Sequence, residues 1–199
     1  MQDEGTGIWP GGSPDNVVLW VDGRSLNLAT SVTEGIDVMV SHNWRTDTAG
    51  VLRFWASGTY LTTYEEAFAK NATPVDLLNQ LNTPLQLKAR GGINWHYGPF
   101  TTRASFDYVN GYDNPSTIPT QKVDSWTTFD LAVQFDGDDV EWLGSFGDGL
   151  SVTLDATNIL DEDPPYVNFA PNTNGGGGWD PTAASPIGRM IGISLRKTF

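Results

Sequence analysis

The sequence contains no cysteine, two histidines and no apolar run longer than VVLWV at 17–21. Without cysteine there is neither a disulfide framework nor a thiolate metal site, an absence compatible with an oxidising compartment. A membrane-spanning helix needs about 20 consecutive apolar residues, so none is encoded. The opening MQDEGTG is acidic and polar, where a secretory leader would be basic and then apolar. Basic residues are also scarce. The 11 Lys and Arg stand against 24 Asp and Glu, for a formal net charge of −13, and nucleic-acid partners are excluded because phosphate binding rests on clustered cations.

Patterns for common chemistries are missing too. There is no GxSxG elbow, P-loop or HExxH pair. His42 and His96 stand far apart, and neither has a second ligand at metal-binding spacing; His96 reads as a polar-face residue beside a tight turn and His42 as an apolar-side residue near an interface. The stretch DGDDVEWLGSFGDG starts like a calcium loop, with Asp136 and Asp138 at its first and third positions. Val140 and Glu141 then stand where an oxygen ligand and a glycine are required, so the stretch reads as an acidic turn. NGGGGWD at 174–180 has no neighbouring base and does not lead from a strand into a helix, which leaves a mobile surface loop rather than a phosphate cradle. The expectation is a protein that is not an enzyme and holds no metal or cofactor.

What the chain does have is aromatics (12%, with eight Trp), 22 Gly and 12 Pro, a composition of strands joined by turns. Its ordered segments alternate with the period of two that a pleated strand imposes. LQLKARGGINWHY sets Leu85, Leu87, Ala89, Ile93, Trp95 and Tyr97 against Gln86, Lys88, Arg90, Asn94 and His96. FTTRASFDY, TTFDLAVQF, LSVTLDATN and the terminal MIGISLRKTF alternate in the same way, and GIDVMVSHNWR and LRFWASGTYLTTY do so less cleanly. With NVVLWVDGRSLNL the expected total is eight strands. PVDLLNQLN at 74–82 is expected to form one or two helical turns inside a loop.

The connections form a second pattern. RTDTAG and YGP are short, and DGDDVEWLGSFGDG is medium. EEAFAKNATPVDLLNQLNTP, VNGYDNPSTIPTQKVDSW and DEDPPYVNFAPNTNGGGGWDPTAASPIG are long. Compact soluble domains rarely need loops of that size, whereas short turns on one side and long loops on the other describe an outer-membrane barrel. Aromatics gather at both strand ends. Trp44, Phe54, Trp95, Tyr97, Phe100, Phe135 and Phe199 lie toward the short turns, and Tyr60, Tyr64, Phe106, Tyr108 and Phe129 toward the long loops. Such girdles border a lipid-facing band; a soluble β-sandwich would instead bury its aromatics mid-strand. The fold expected is all-β: an antiparallel transmembrane β-barrel segment of about eight strands, with short periplasmic turns and long extracellular loops. A flexible acidic segment, 1–16, would precede the barrel portion, 17–199.

The C-terminal third resembles TonB-dependent outer-membrane receptors. TNILDEDPPY resembles the family's Asn-Leu-Phe-Asp box followed by Pro-Pro, through Asn158, Asp161, Pro164 and Pro165, with Ile159 and Leu160 as apolar departures. WDPTAASPIGRMIGISLRKTF is similar to the closing strand, with Ser185, Pro186, Gly188, Arg189 and Phe199 in place. VTEGIDVMVSHNW is similar to a family strand opening, with Gly35 and Asp37 placed as expected, and ASGTYLTTYEE to a strand ending in Tyr at the cell surface. Family barrels have about 22 strands and a plugged lumen, so the resemblance covers the last third of a receptor, without plug or TonB box, and Met1 is expected to be an internal start or a truncation boundary.

The resemblance implies a bacterial outer-membrane protein that takes up a scarce nutrient (a metal chelate, vitamin or oligosaccharide) with TonB-coupled energy. Its implied partners are outer-membrane lipid, the rest of the barrel and plug, TonB through that plug, and the barrel-assembly machinery. That machinery would read Ile191, Ile193, Leu195 and Phe199 as its signal. No substrate-binding residue is singled out. Two other classes remain open: an autonomous eight-stranded barrel with a structural or adhesive role, and a soluble carbohydrate-binding β-domain.

Overall fold

The computed structural model describes residues 30–69, 72–168 and 177–198. The expected N-terminal segment, the strand proposed at NVVLWVDGRSLNL and the terminal Phe199 lie outside the described residues. Among the described residues there are ten strands: β1 (Thr30–Thr46), β2 (Gly50–Ala67), β3 (Val75–Asp76), β4 (Leu87–Tyr97), β5 (Phe100–Val109), β6 (Tyr112–Asn114), β7 (Gln121–Val123), β8 (Trp126–Asp136), β9 (Leu150–Thr157) and β10 (Met190–Lys197). The main sheet has eight strands, in the order β1-β2-β4-β5-β8-β9-β10 with β3 added on β2, and β6 and β7 form a separate pair. All these pairings are antiparallel. No helix among the described residues is long and apolar enough to cross a membrane, which bears only on helical spans.

The register makes one face apolar from edge to edge. Val40, Ala56, Gly91, Phe106 and Phe129 stand in one cross-strand row. The next row is His42, Phe54, Ile93, Ala104, Leu131, Ala156 and Ile191, and the one after it Trp44, Leu52, Trp95, Thr102, Val133, Leu154 and Ile193. A slip of one residue in any pairing would turn that strand's apolar set onto the other face, so the unbroken rows show every strand choosing the same side. Aromatic pairs reinforce the edges of the band. Trp95 stacks on Tyr97 at 6.0 Å, Phe100 meets Phe135 at 5.6 Å, and Phe106 meets Phe129 at 6.4 Å. Phe100 to Tyr108 spans about 27 Å of strand, the order of a barrel's apolar band.

Nothing in the described chain covers this face. Apart from Gly91, which lies beneath Phe106, none of its row residues is buried. Ile191, Ile193 and Leu195 are 71%, 75% and 72% exposed. An uncovered apolar area of this extent is far more than isolated surface hydrophobics explain.

The packed core lies instead at the long-loop end. Leu85, Tyr112, Val123, Val167 and Ala183 form a buried cluster, with Leu81 and Val109 against it. It joins described parts of the three long connections, 72–86, 110–125 and 158–168 with 177–189, into a cap. The β6–β7 hairpin is its centre, and Asn114, fully buried, donates to Gln121 Oε1 (3.1 Å) and to the Asn168 carbonyl (2.9 Å). Gly178 accepts from the Val167 amide at 3.0 Å, so the described end of the glycine run is tied into this cap. The helical turns expected at 74–82 are absent. Val75 and Asp76 pair with β2, and Asn79 and Asn82 enter the left-handed region (φ 62° and 63°), where a right-handed helix cannot continue. Asn79 then serves as a junction, donating to the Gly111 carbonyl and accepting from Gln86 N and Asn110 Nδ2.

Candidate functional site

Asn158 follows β9 immediately and opens a hydrogen-bonded clamp. Its φ of 50° reverses the chain; its Oδ1 accepts from Glu162 N and its Nδ2 donates to the Glu162 carbonyl, both at 2.9 Å. The Asn158 amide donates to Asp130 Oδ1 on β8 at 2.9 Å. Asp161, also at positive φ, is held by its amide on the Asn158 carbonyl. It then accepts from Arg189 N at 2.7 Å and lies 3.9 Å from the Arg189 guanidinium. A Cβ on Gly188 would stand 2.7 Å from Asp161 Oδ1, so glycine there leaves room for the carboxylate. Four of the sequence-singled positions, Asn158, Asp161, Gly188 and Arg189, thus meet in one structure that bolts the exit of β9 to the entry of β10. Ser185 accepts from the Ile187 amide at 3.3 Å, and no hydrogen bond to the clamp is seen for Pro164, Pro165 or Pro186.

Ile191, Ile193 and Leu195 stand on the apolar face of β10, the strand at one end of the sheet order. At the far end Gly35 sits at the register shift in β1, where a Cβ would come within 2.8 Å of the Tyr60 carbonyl, and the Asp37 carboxylate accepts from Thr59 Oγ1.

The polar face carries the charged side chains of the strand centres. One row runs Arg53, Asn94, Arg103, Ala132, Asp155 and Gly192; the next runs Trp55, Gly92, Ser105 and Asp130. Arg90 lies over the Trp55 ring, 5.6 Å from its centroid, and 3.9 Å from Asp107. Trp55 leans over Gly92, where a Cβ would come within 3.1 Å of the ring. Arg53, Trp55, Arg90, Arg103, Asp130 and Asp155 border an open concavity of about 500 Å³.

The remaining candidates are structural. His96 Nδ1 bonds Thr101 Oγ1 at 3.0 Å, while His42 faces the apolar side opposite Phe54. No cluster of His, Asp and Glu suited to a metal occurs among the described residues. In the acidic turn Asp136 Oδ1 accepts from Asp138 N, and Asp138 Oδ1 from Gly149 N, so each carboxylate holds a backbone amide of the turn. Lys197, which interrupts the apolar alternation, donates its ammonium to the Ser145, Phe146 and Asp148 carbonyls of that turn, its stem lying along the apolar side.

No family model, curated protein or solved structure matches this chain.

Proposed function

We propose that the chain forms the C-terminal part of the barrel wall of a TonB-dependent outer-membrane receptor, which takes up a scarce nutrient with energy passed through a plug. The observation that carries this reading is the apolar face. It is continuous in register over β1, β2, β4, β5, β8, β9 and β10 and uncovered on its outer side. A soluble sandwich must bury such a face against a second sheet, whereas a barrel wall presents it to lipid. Two further features support it. The short turns lie at one end and a packed cap at the other, and the order β9, clamp, β10 runs through the residues that resemble the family. On this reading the apolar face meets outer-membrane lipid, the polar face lines the conduit, and the alternating residues of β10 are read by the assembly machinery.

The absence of native cysteine makes a single-cysteine test clean. The full chain, folded into lipid vesicles, should show oxygen-accessible, water-shielded spin labels at Leu131→Cys, Val133→Cys and Leu154→Cys. Labels at Thr128→Cys and Thr153→Cys should be open to a water-soluble relaxation agent. Equal water access at both sets would end the membrane assignment.

A further inference from the structure

We infer that the polar face holds a binding site for a small oxyanion-bearing solute, one presenting carboxylate or phosphate oxygens, centred on Arg53 and Arg103. In a chain with 24 acidic and 11 basic residues, four of the bases, Arg53, Lys88, Arg90 and Arg103, stand on the adjacent strands β2, β4 and β5. The cross-strand register puts Arg53 and Arg103 on either side of Asn94. Asn94 Oδ1 accepts from Arg103 Nε at 3.1 Å, which fixes the plane of that guanidinium and leaves its two terminal nitrogens directed elsewhere.

Asp130 and Asp155 share the concavity with Arg53, Arg90 and Arg103, so its lining holds three cations against two anions. Asp130 spends Oδ1 on the Asn158 amide at 2.9 Å. Asp155 folds over Gly192, with both carboxylate oxygens 2.8 Å from where a Cβ would be, which takes its charge toward β10 and away from Arg103. Asp107 is engaged with Arg90, and Arg90 is held on Trp55. No ion pair forms with Arg53 or Arg103 among the described residues. Two guanidinium forks, neither of them in an ion pair among the described residues, therefore border a concavity of about 500 Å³. The planar fork matches a carboxylate or phosphate in two-point fashion. Where the polar face lines a conduit, this is a wall subsite for anions. The site requires no lipid on the other face.

The test is calorimetric titration of the detergent-folded full chain with citrate and, separately, with inorganic phosphate at low salt. Citrate should bind saturably, more tightly than phosphate because it can engage both arginines, and added salt should weaken it. Arg53→Gln and Arg103→Gln should each weaken citrate about tenfold, as loss of a charge-assisted hydrogen bond does. Arg45→Gln, on the same face near the turn, should leave binding unchanged. Arg53→Lys keeps the charge and loses the fork; it should fall between wild type and Arg53→Gln, and it guards against a Gln variant that fails to fold. Binding that is equal in all variants, or absent for both anions at millimolar concentration, overturns the site. Because citrate binding and cysteine labelling are separate readouts, failure of one leaves the other reading standing.

Discussion

At Asn158 a single side chain does two jobs, accepting the left-handed backbone (φ 50°) and closing a two-way bond with Glu162. The two requirements can be separated by substitution. Asn158→Gly keeps the backbone and loses both side-chain bonds, which should cost about 2 kcal/mol. Asn158→Ala loses the bonds and also places a Cβ in the left-handed region, which should add about 1 kcal/mol. Urea midpoints of the folded chain would rank wild type, Gly and Ala in that order; Ala equal to Gly would mean the turn relaxes out of the left-handed state. The positions themselves were singled out in the sequence through the family resemblance alone, not through local backbone chemistry. Their joining into one clamp was not legible there, since Asp161 and Arg189 are distant in sequence. The same holds for the anion site. The polar-face placement of Lys88 and Arg90 could be read from alternation, but only the structure shows Asp155 turned over Gly192 and Asp130 bonded to Asn158.

Among the elements, the strands of the main sheet were the most legible, because a face that alternates strictly in polarity has one register that keeps it whole. The β6–β7 hairpin was missed. Its strands are short, and the signal for it, Tyr112 and Val123 flanking a stretch with two prolines, is weak beside the loop composition. Its stability comes from residues scattered across three connections, a long-range packing that periodicity does not reveal. The hairpin also carries a titration. The buried Tyr112 hydroxyl and Asp180 Oδ2 each lack a partner at full hydrogen-bond geometry, and burial, then the charge and weak hydrogen-bonding pull of Asp180, raises the Tyr112 phenol above its ordinary value. The folded cap holds this proton more tightly than the unfolded chain, so the associated stability is complete below pH about 10 and is lost as the pH rises beyond it. Tyr112→Phe should remove that alkaline slope and, by deleting an unpartnered hydroxyl, leave stability at neutral pH equal or higher by about 1 kcal/mol. Tryptophan-fluorescence unfolding at about pH 8 and about pH 10.5 would measure both. An unchanged alkaline slope in the Phe variant would place the titration elsewhere.

For the whole molecule the decisive feature is that the two ends of the sheet order, β1 and β10, do not pair with each other. An open edge presents unpaired amides and carbonyls, which lipid does not tolerate. The edges must therefore meet further strands, another copy or each other. If the chain is part of a wide wall, six inter-strand intervals separate β1 from β10, an arc of about 29 Å at ordinary strand spacing. If it closes alone, with the segment expected at NVVLWVDGRSLNL as the eighth strand between them, the same edges come within two intervals, about 10 Å. Ser41 and Ser194 lie on the polar face of β1 and β10, opposite Trp55 and Thr153. Paired spin labels at Ser41→Cys and Ser194→Cys would tell the two arrangements apart without disturbing the lipid side. The polar face favours the wide arrangement. A closed eight-stranded barrel has an interior just wide enough for side chains, and Trp55, Arg53, Arg90 and Arg103 would crowd it, whereas an open wall leaves Arg53 and Arg103 facing water, as the anion site requires. The expected label distance is therefore more than 20 Å, about the chord of a gently curved wall. A distribution centred near 10 Å would instead establish an autonomous small barrel.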